Sequence, residues 1–461
     1  MKRTAVINVV GLTRSLIGAH TPHIQRFVDS GSLQSIKPAF PAVTCTAQST
    51  YLTGQTPQAH GAVGNGWYDR EYAELRWWKQ SNQLVQQPKL WEALREELPD
   101  FTCANVFWWY NMYSSAEYTI TPRPLYPADG RKVFDVHTQP MDLRDAIKKD
   151  LGEFPFPFFW GPMAGIRSSQ WIAEAAKWME QHKQPSLNLV YLPHLDYNLQ
   201  RYGSTDKRIE QDLREIDSIV GELIPYFEAQ GVQVVLLSEY GITDVDQPVH
   251  LNRVFRANGW LSLKNELGLE YLDYGECRAF ALADHQVAHV YVKDAALLPE
   301  VKRVLEATDG VETVLDQPGK AAYGIDHERS GDLVVIAKPR AWFTYYYWED
   351  DALAPDFARC IDIHRKAGYD PAELFFDPQF KFPKLRVLKA LLKKKLGFRS
   401  LMDVIPLDAD LVRGSHGRIP ENSKDWPVYI SSAAAESSQS IEAVEVYEKL
   451  KSSILDEPKK S

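Results

Sequence analysis

The strongest constraint on this chain's fold is a set of short apolar runs too uniform for strands with one wet face. Residues 4–10 read Thr-Ala-Val-Ile-Asn-Val-Val and stop at Gly11, and comparable runs recur at Leu187 to Leu192, Val232 to Leu237 and Leu333 to Ala337. Strands of this kind are buried on both faces, as in a parallel sheet covered by helices. Between the second and third runs, Ile209, Leu213, Ile216, Val220, Leu223, Ile224 and Phe227 recur at helical spacing, opened by Ser204 or Thr205 and closed by Gly231. Strand, helix, strand at that spacing predicts an α/β fold, a layered and mostly parallel sheet flanked by helices.

The texture changes over residues 278–318. Ala288, Val290 and Val292 alternate with His289 and Tyr291, a helical pattern follows at Leu297 to Ala307, and a further strand at Gly310 to Leu315. This predicts a small inserted α+β cap, with His285 and His289 on it as structural residues. Residues 384–399 are basic and amphipathic, the pattern of a helix with a solvated lysine face or of one lying on an anionic surface. The catalytic domain is expected over 1–428. Residues 429–461, rich in Ser, Ala and Glu, read as a mobile tail with one short helix near Ile441 to Leu455.

Composition removes several classes. A net charge of -9 over 461 residues argues against a general nucleic-acid binder, which needs excess Lys and Arg to displace phosphate counterions. Cys45, Cys103, Cys277 and Cys360 have neither zinc-knuckle spacing nor the look of a disulfide framework. No segment approaches the ~20 apolar residues of a membrane span, and the N-terminal run lacks the features of a signal peptide. A cytoplasmic location is expected.

The stretch richest in chemistry is Phe40-Pro41-Ala42-Val43-Thr44-Cys45-Thr46-Ala47-Gln48-Ser49-Thr50-Tyr51-Leu52-Thr53-Gly54, followed by His60-Gly61-Ala62-Val63-Gly64-Asn65. Pro41 forces an extended approach, Thr44 sits at a helix start and Gly54 ends that helix. A hydroxyl placed there meets free backbone N–H groups and the positive end of a helix dipole, which suits a phosphate. The local pattern equally allows Thr44 to be a plain helix cap.

These paired elements resemble the nucleophile region of the nucleotide pyrophosphatase/phosphodiesterase and phosphonoacetate hydrolase branch of the alkaline phosphatase superfamily. The resemblance implies an alkaline phosphatase-like core in which Thr44 attacks phosphorus while Asn65 and the backbone of Cys45 hold a phosphoryl oxygen. It extends to Asp196 in Leu195-Asp196-Tyr197-Asn198-Leu199-Gln200-Arg201-Tyr202-Gly203, to Ser238-Glu239-Tyr240-Gly241 at a strand end, and to Gly414-Ser415-His416-Gly417. At those places the family carries metal ligands.

The departures are as informative. The first-strand aspartate of the family is Val10 here, one histidine is Gln200, and its Asp-His pair is Glu239 and Tyr240; Asp196 and His416 match outright. Asn8 shares a strand face with Val10 and offers an amide oxygen. Asp362 and His364 share a face by the same rule, and His194 stands beside Asp196. Oxygen donors such as Glu239, Asn8 and Gln200 suit magnesium or manganese better than zinc, so one or two divalent ions (Zn, Mn or Mg) are expected. Trp67 and Tyr68 adjoin Asn65 and are candidates for substrate contact.

The expected activity is metal-dependent hydrolysis of a phosphodiester, pyrophosphate or phosphonate bond in a phosphorylated small molecule through Thr44. The alternative is a catalytically silent homologue that binds a phosphorylated ligand or a partner.

Overall fold

A computed structural model describes residues 1–398, 400–432 and 440–455. Its main body is a nine-stranded sheet in the order Ser440–Glu442, Ser32–Lys37, Val428–Ser431, Gln233–Leu237, Thr4–Val9, Leu187–Leu192, Cys103–Val106, Tyr118–Pro122 and Val136–Gln139. Thr4–Val9 is central, parallel to Leu187–Leu192 on one side and to Gln233–Leu237 on the other, so that Asn8 stands opposite both Tyr191 and Leu237. Every residue of Thr4–Val9 and Leu187–Leu192 is buried, which is why neither shows polar alternation. Val428–Ser431 runs antiparallel to its neighbours, as does Val136–Gln139 at one edge.

The helix read between the strands forms over Ile209–Ala229 and buries Ile209, Leu213, Ile216, Val220, Leu223, Ile224 and Phe227. Ser204 and Thr205 do not cap it. Their hydroxyls donate to the Asp244 carboxylate at 3.0 and 2.8 Å, pinning the preceding loop to the short strand Thr243–Asp244.

A second, antiparallel sheet has the order Ala279–Asp284, Val287–Val292, Leu333–Ala337, Val311–Leu315. The Leu333 to Ala337 run therefore lies here and not among the parallel strands, and the cap extends beyond residue 318. Both faces of that strand are covered: Val335 packs with Leu251, Phe255 and Val301, while Val334 and Ile336 pack with Cys45 and Val63. Double-sided burial gives the same continuous apolar run in either sheet. The cap thus sits directly on the segment around Thr44.

The expected mobile tail is corrected in part. Val428–Ser431 is an inner strand, and helix Glu445–Leu455 buries Val446, Leu450 and Ile454 in the main core. That four-residue apolar spacing is diluted by Ser, Glu and Lys, so composition conceals it. Residues 433–439 and 456–461 lie outside the described residues. No described helix is long and apolar enough to cross a membrane.

Candidate active site

Thr44 is the first residue of helix Thr44–Thr53, preceded by the extended Val43 and closed by Gly54 at φ +66°. Its hydroxyl makes no capping bond. The helix ladder begins with Ala47 N–H donating to the Val43 carbonyl at 2.9 Å, so the N–H groups of residues 44–46 have no partner within the helix. The loop before it is tied to the Gly414–Gly417 segment. Ala42 N–H donates to the Gly417 carbonyl (2.9 Å), and the Ala42 carbonyl lies 2.8 Å from His416 Nδ1.

The C-terminal ends of the central parallel strands deliver the other groups, as open α/β sheets do. Thr44 Oγ1 lies 3.2 Å from the Tyr240 hydroxyl, which donates to Asp196 Oδ1 at 3.2 Å. Gln200 Nε2 donates to Asp196 Oδ2 (2.8 Å), and Tyr369 donates to Gln200 Oε1 (3.1 Å). His416 Nε2 stands 3.9 Å from Asp196 Oδ1. Burial pushes the Asp196 carboxyl up to about 7 despite these donors.

Four rings stack behind this chain. Tyr240 lies on His416 with centroids 3.7 Å apart, His416 on His285 at 3.6 Å, and His285 on Tyr369 at 3.7 Å. Rings this close cannot both carry a positive charge. Burial holds His416 down to about 3 and, with the neighbouring His416, keeps His285 well below the usual imidazole range.

Glu239 points to the other side of Thr44. Its Oε1 accepts from Asn8 Nδ2 at 2.6 Å and from Gln48 Nε2, while Gln48 Oε1 accepts from Trp109 N–H at 2.6 Å. Burial pushes Glu239 up to about 8, making it a neutral acid at pH 7. Its Oε2 and Asn8 Oδ1 have no hydrogen-bond partner among the described residues. Asn65 accepts from Cys45 N–H (3.1 Å) and donates through Nδ2 to Asp284 Oδ1 (3.0 Å), which fixes its amide beside the helix start.

Part of this group borders a cavity of about 290 Å³. The buried Thr44, Asn65, Asp196, Tyr240, His285 and His416 line it, with Trp78, Trp109, Trp160 and Tyr369, the half-buried Lys79 and the exposed Arg123 and Lys132.

The remaining expected residues lie elsewhere. Asp362 and His364 border the cavity but not the Asp196 group. They occupy a turn, not a strand, where Asp362 pairs with Arg365 (2.8 Å) and His364 Nδ1 meets the Trp77 carbonyl (3.0 Å). Trp67 and Tyr68 are absent from the lining: Trp67 packs under Arg329, and Tyr68 packs on Phe280 and Tyr291. The Cys45 side chain is buried with Ala62 and Val63. His194 is turned away because residues 194–202 form a helix, where a two-residue step rotates ~200°. It faces Asp212 and Glu215 at 3.3 and 3.1 Å, the one group of three His, Cys, Asp or Glu side chains among the described residues close enough to share a cation. His285, Tyr369 and Gln48 were not expected at the site. His285 reaches it from the tight turn between two cap strands, at φ +62°.

Residues 4–370 match the type I phosphodiesterase/nucleotide pyrophosphatase family. The chain belongs to that family. An uncharacterized pyrophosphatase/phosphodiesterase of Schizosaccharomyces pombe is 23% identical over 240 residues, 48% of this chain and 42% of that protein, so the match spans well under half of the relative's length. Two kinds of solved structure share the fold of this phosphodiesterase-family chain. An inactive variant of murine ectonucleotide pyrophosphatase/phosphodiesterase 5 in complex with AMP has TM-score 0.59 and 12% identity, covering 100% of this chain and 96% of that one. Phosphonoacetate hydrolase from Sinorhizobium meliloti 1021 in complex with phosphonoformate has TM-score 0.63 and 11% identity, covering 98% and 96%.

Enzymes of this family generally depend on divalent metal, and the resemblance places two ions beside Thr44. The donor set here does not fit that pair. Val10 has no donor atom, Tyr240 is stacked on His416 and bonded to Asp196, and Gln200 turns its amide N–H, not its oxygen, toward Asp196. Both Asp196 oxygens already accept hydrogen bonds. One carboxyl, one amide oxygen and a hydroxyl around Thr44 are a poor set for zinc, which takes histidine, cysteine and carboxylate ligands.

Proposed function

We propose that this family member cleaves a phosphodiester, pyrophosphate or phosphonate bond with Thr44 as nucleophile. The observation that carries this reading is the unbroken line Thr44 Oγ1, Tyr240 hydroxyl, Asp196 in the lining of the cavity. The Thr44 oxygen forms the new bond to phosphorus as the bond to the leaving group breaks. The threonine proton passes to Tyr240 while the Tyr240 proton passes to Asp196, a general-base arrangement worth about 10²–10⁴-fold in rate. The Cys45 N–H at the helix start, held by Asn65 Oδ1 at 3.1 Å, turns to a phosphoryl oxygen when the substrate enters. The aromatic walls accept an apolar or planar leaving group, and Lys79, Arg123 and Lys132 attract its charge. Water then cleaves the phosphothreonine.

The test is turnover of bis(4-nitrophenyl) phosphate by wild type and by Thr44→Ala, with intact-mass detection of a phosphoryl adduct. Release of 4-nitrophenol that survives Thr44→Ala removes Thr44 from this role. The second reading, a silent homologue that binds a phosphorylated ligand, is favoured by the hydrogen-bonded replacements at Gln200, Glu239 and Tyr240. It predicts no release by wild type together with saturable binding of AMP.

A further inference from the structure

Helix Pro383–Lys395 reverses the usual order of a surface helix. Leu385, Leu388 and Leu392 on it and Leu396 just past its end, spaced to share one stripe, are 62%, 51%, 52% and 74% exposed. Its inward residues are instead Val387, which packs against Ala372, Val404 and Ile405, and the buried Ala390. Lys384, Arg386, Lys389, Lys393 and Lys395 belong to the same helix, and no Asp or Glu does, in a chain whose net charge is -9. An ordinary solvated helix does not turn four leucines to water and concentrate cations beside them.

We propose that this helix is a docking surface for an anionic lipid bilayer. Its leucine stripe enters the boundary between headgroups and acyl chains, while the basic residues flank it and meet lipid phosphates, their long stems lying along the apolar surface. A second feature repeats the composition. The segment closed by the Leu125–Val133 bridge exposes Leu125, Tyr126 and Phe134 beside Lys132. Both reach the cavity: the exposed Tyr126 and Lys132 line it directly, and Ile361, which packs on the same Ala372, Val404 and Ile405 cluster as Val387, lines it too. A bilayer there would present an amphiphilic phosphoester to the cavity, a consequence that rests on the phosphoester reading; the lipid binding does not.

The test is flotation of the full chain with vesicles of phosphatidylcholine alone and of phosphatidylcholine with roughly one-third phosphatidylglycerol. The expected result is binding to the anionic vesicles only, weakened by salt and reduced at least about tenfold in Leu388→Glu/Leu392→Glu. Both positions are exposed, and an unchanged unfolding midpoint will show that the variant folds. Three results each overturn the proposal: no flotation with anionic vesicles, equal flotation of the variant, or leucine-dependent self-association in sedimentation without lipid, which assigns the face to a second copy of the chain.

Discussion

Tyr240 and His416 lie face to face, with centroids 3.7 Å apart and planes 6° from parallel. This contact fixes the phenol while its hydroxyl bridges Thr44 and Asp196. Where the resemblance implies a histidine ligand, this strand end carries a phenol that contacts both Thr44 and Asp196. The consequence is a site whose polar groups largely satisfy one another.

Tyr240→Phe keeps the ring stack and deletes the bridge. Turnover should fall about 10²-fold or more. Stability should fall by only ~1–3 kcal/mol, because one buried carboxylate oxygen loses a donor. Parallel measurement of kcat and urea unfolding separates the two effects, and a rate within twofold of wild type means the proton takes another path.

The pH dependence follows from Asp196. Burial raises its carboxyl to about 7, and the proton transfer from Tyr240 needs it ionised. Activity should therefore be low where Asp196 is protonated, rise as pH passes through about 7, and level off above. A kcat/KM profile from pH 5 to 9 tests this. Asp196→Asn should abolish both the rise and the activity.

Metal content gives an independent check. The replacements Val10, Gln200, Glu239 and Tyr240 lead us to expect fewer than two zinc ions per chain by elemental analysis, and turnover little changed after EDTA. Two tightly held equivalents would show that Tyr240 and Gln200 rearrange on binding.

What the sequence revealed was local. Thr44 at a helix start and Gly54 at its end are legible because caps depend on neighbouring residues. That Asp196 and His416 border the same cavity as Thr44 was expected only through the resemblance, and Glu239 is not in that lining. His285 was hidden because strand alternation assigns it to a cap face, whereas a turn at φ +62° swings its ring into the cavity. Tyr369 and Gln48 carry no local mark of their roles, since each acts through a partner more than 150 residues away. The strand reasoning for Asp362 with His364, and for His194 with Asp196, failed because those segments are a turn and a helix.

Lys366 offers a stability test away from the reacting groups. It is buried between Asp370 and Glu373, with contacts of 2.6 and 2.7 Å, on the segment that carries Tyr369. Lys366→Met leaves two buried carboxyls without their cation and should cost about 3–5 kcal/mol. Lys366→Met/Asp370→Asn/Glu373→Gln should recover part of that loss. Urea unfolding of both variants decides whether the cost comes from uncompensated charge or from lost packing.

Gly368 sets how closely Tyr369 approaches the site. Its φ is +144°, and a Cβ there would lie 2.3 Å from the Ala283 carbonyl oxygen, the acceptor of the Tyr369 N–H bond at 2.9 Å. Gly368→Ala must push the two segments apart, drawing Tyr369 from His285 and from Gln200. A loss of about 2–4 kcal/mol is expected, with a clear fall in turnover. Gly231→Ala is the control: φ is +69° but nothing lies within 4 Å, so only backbone strain of about 1 kcal/mol remains. Equal losses from the two substitutions would mean that the Ala283 contact yields easily and does not position Tyr369.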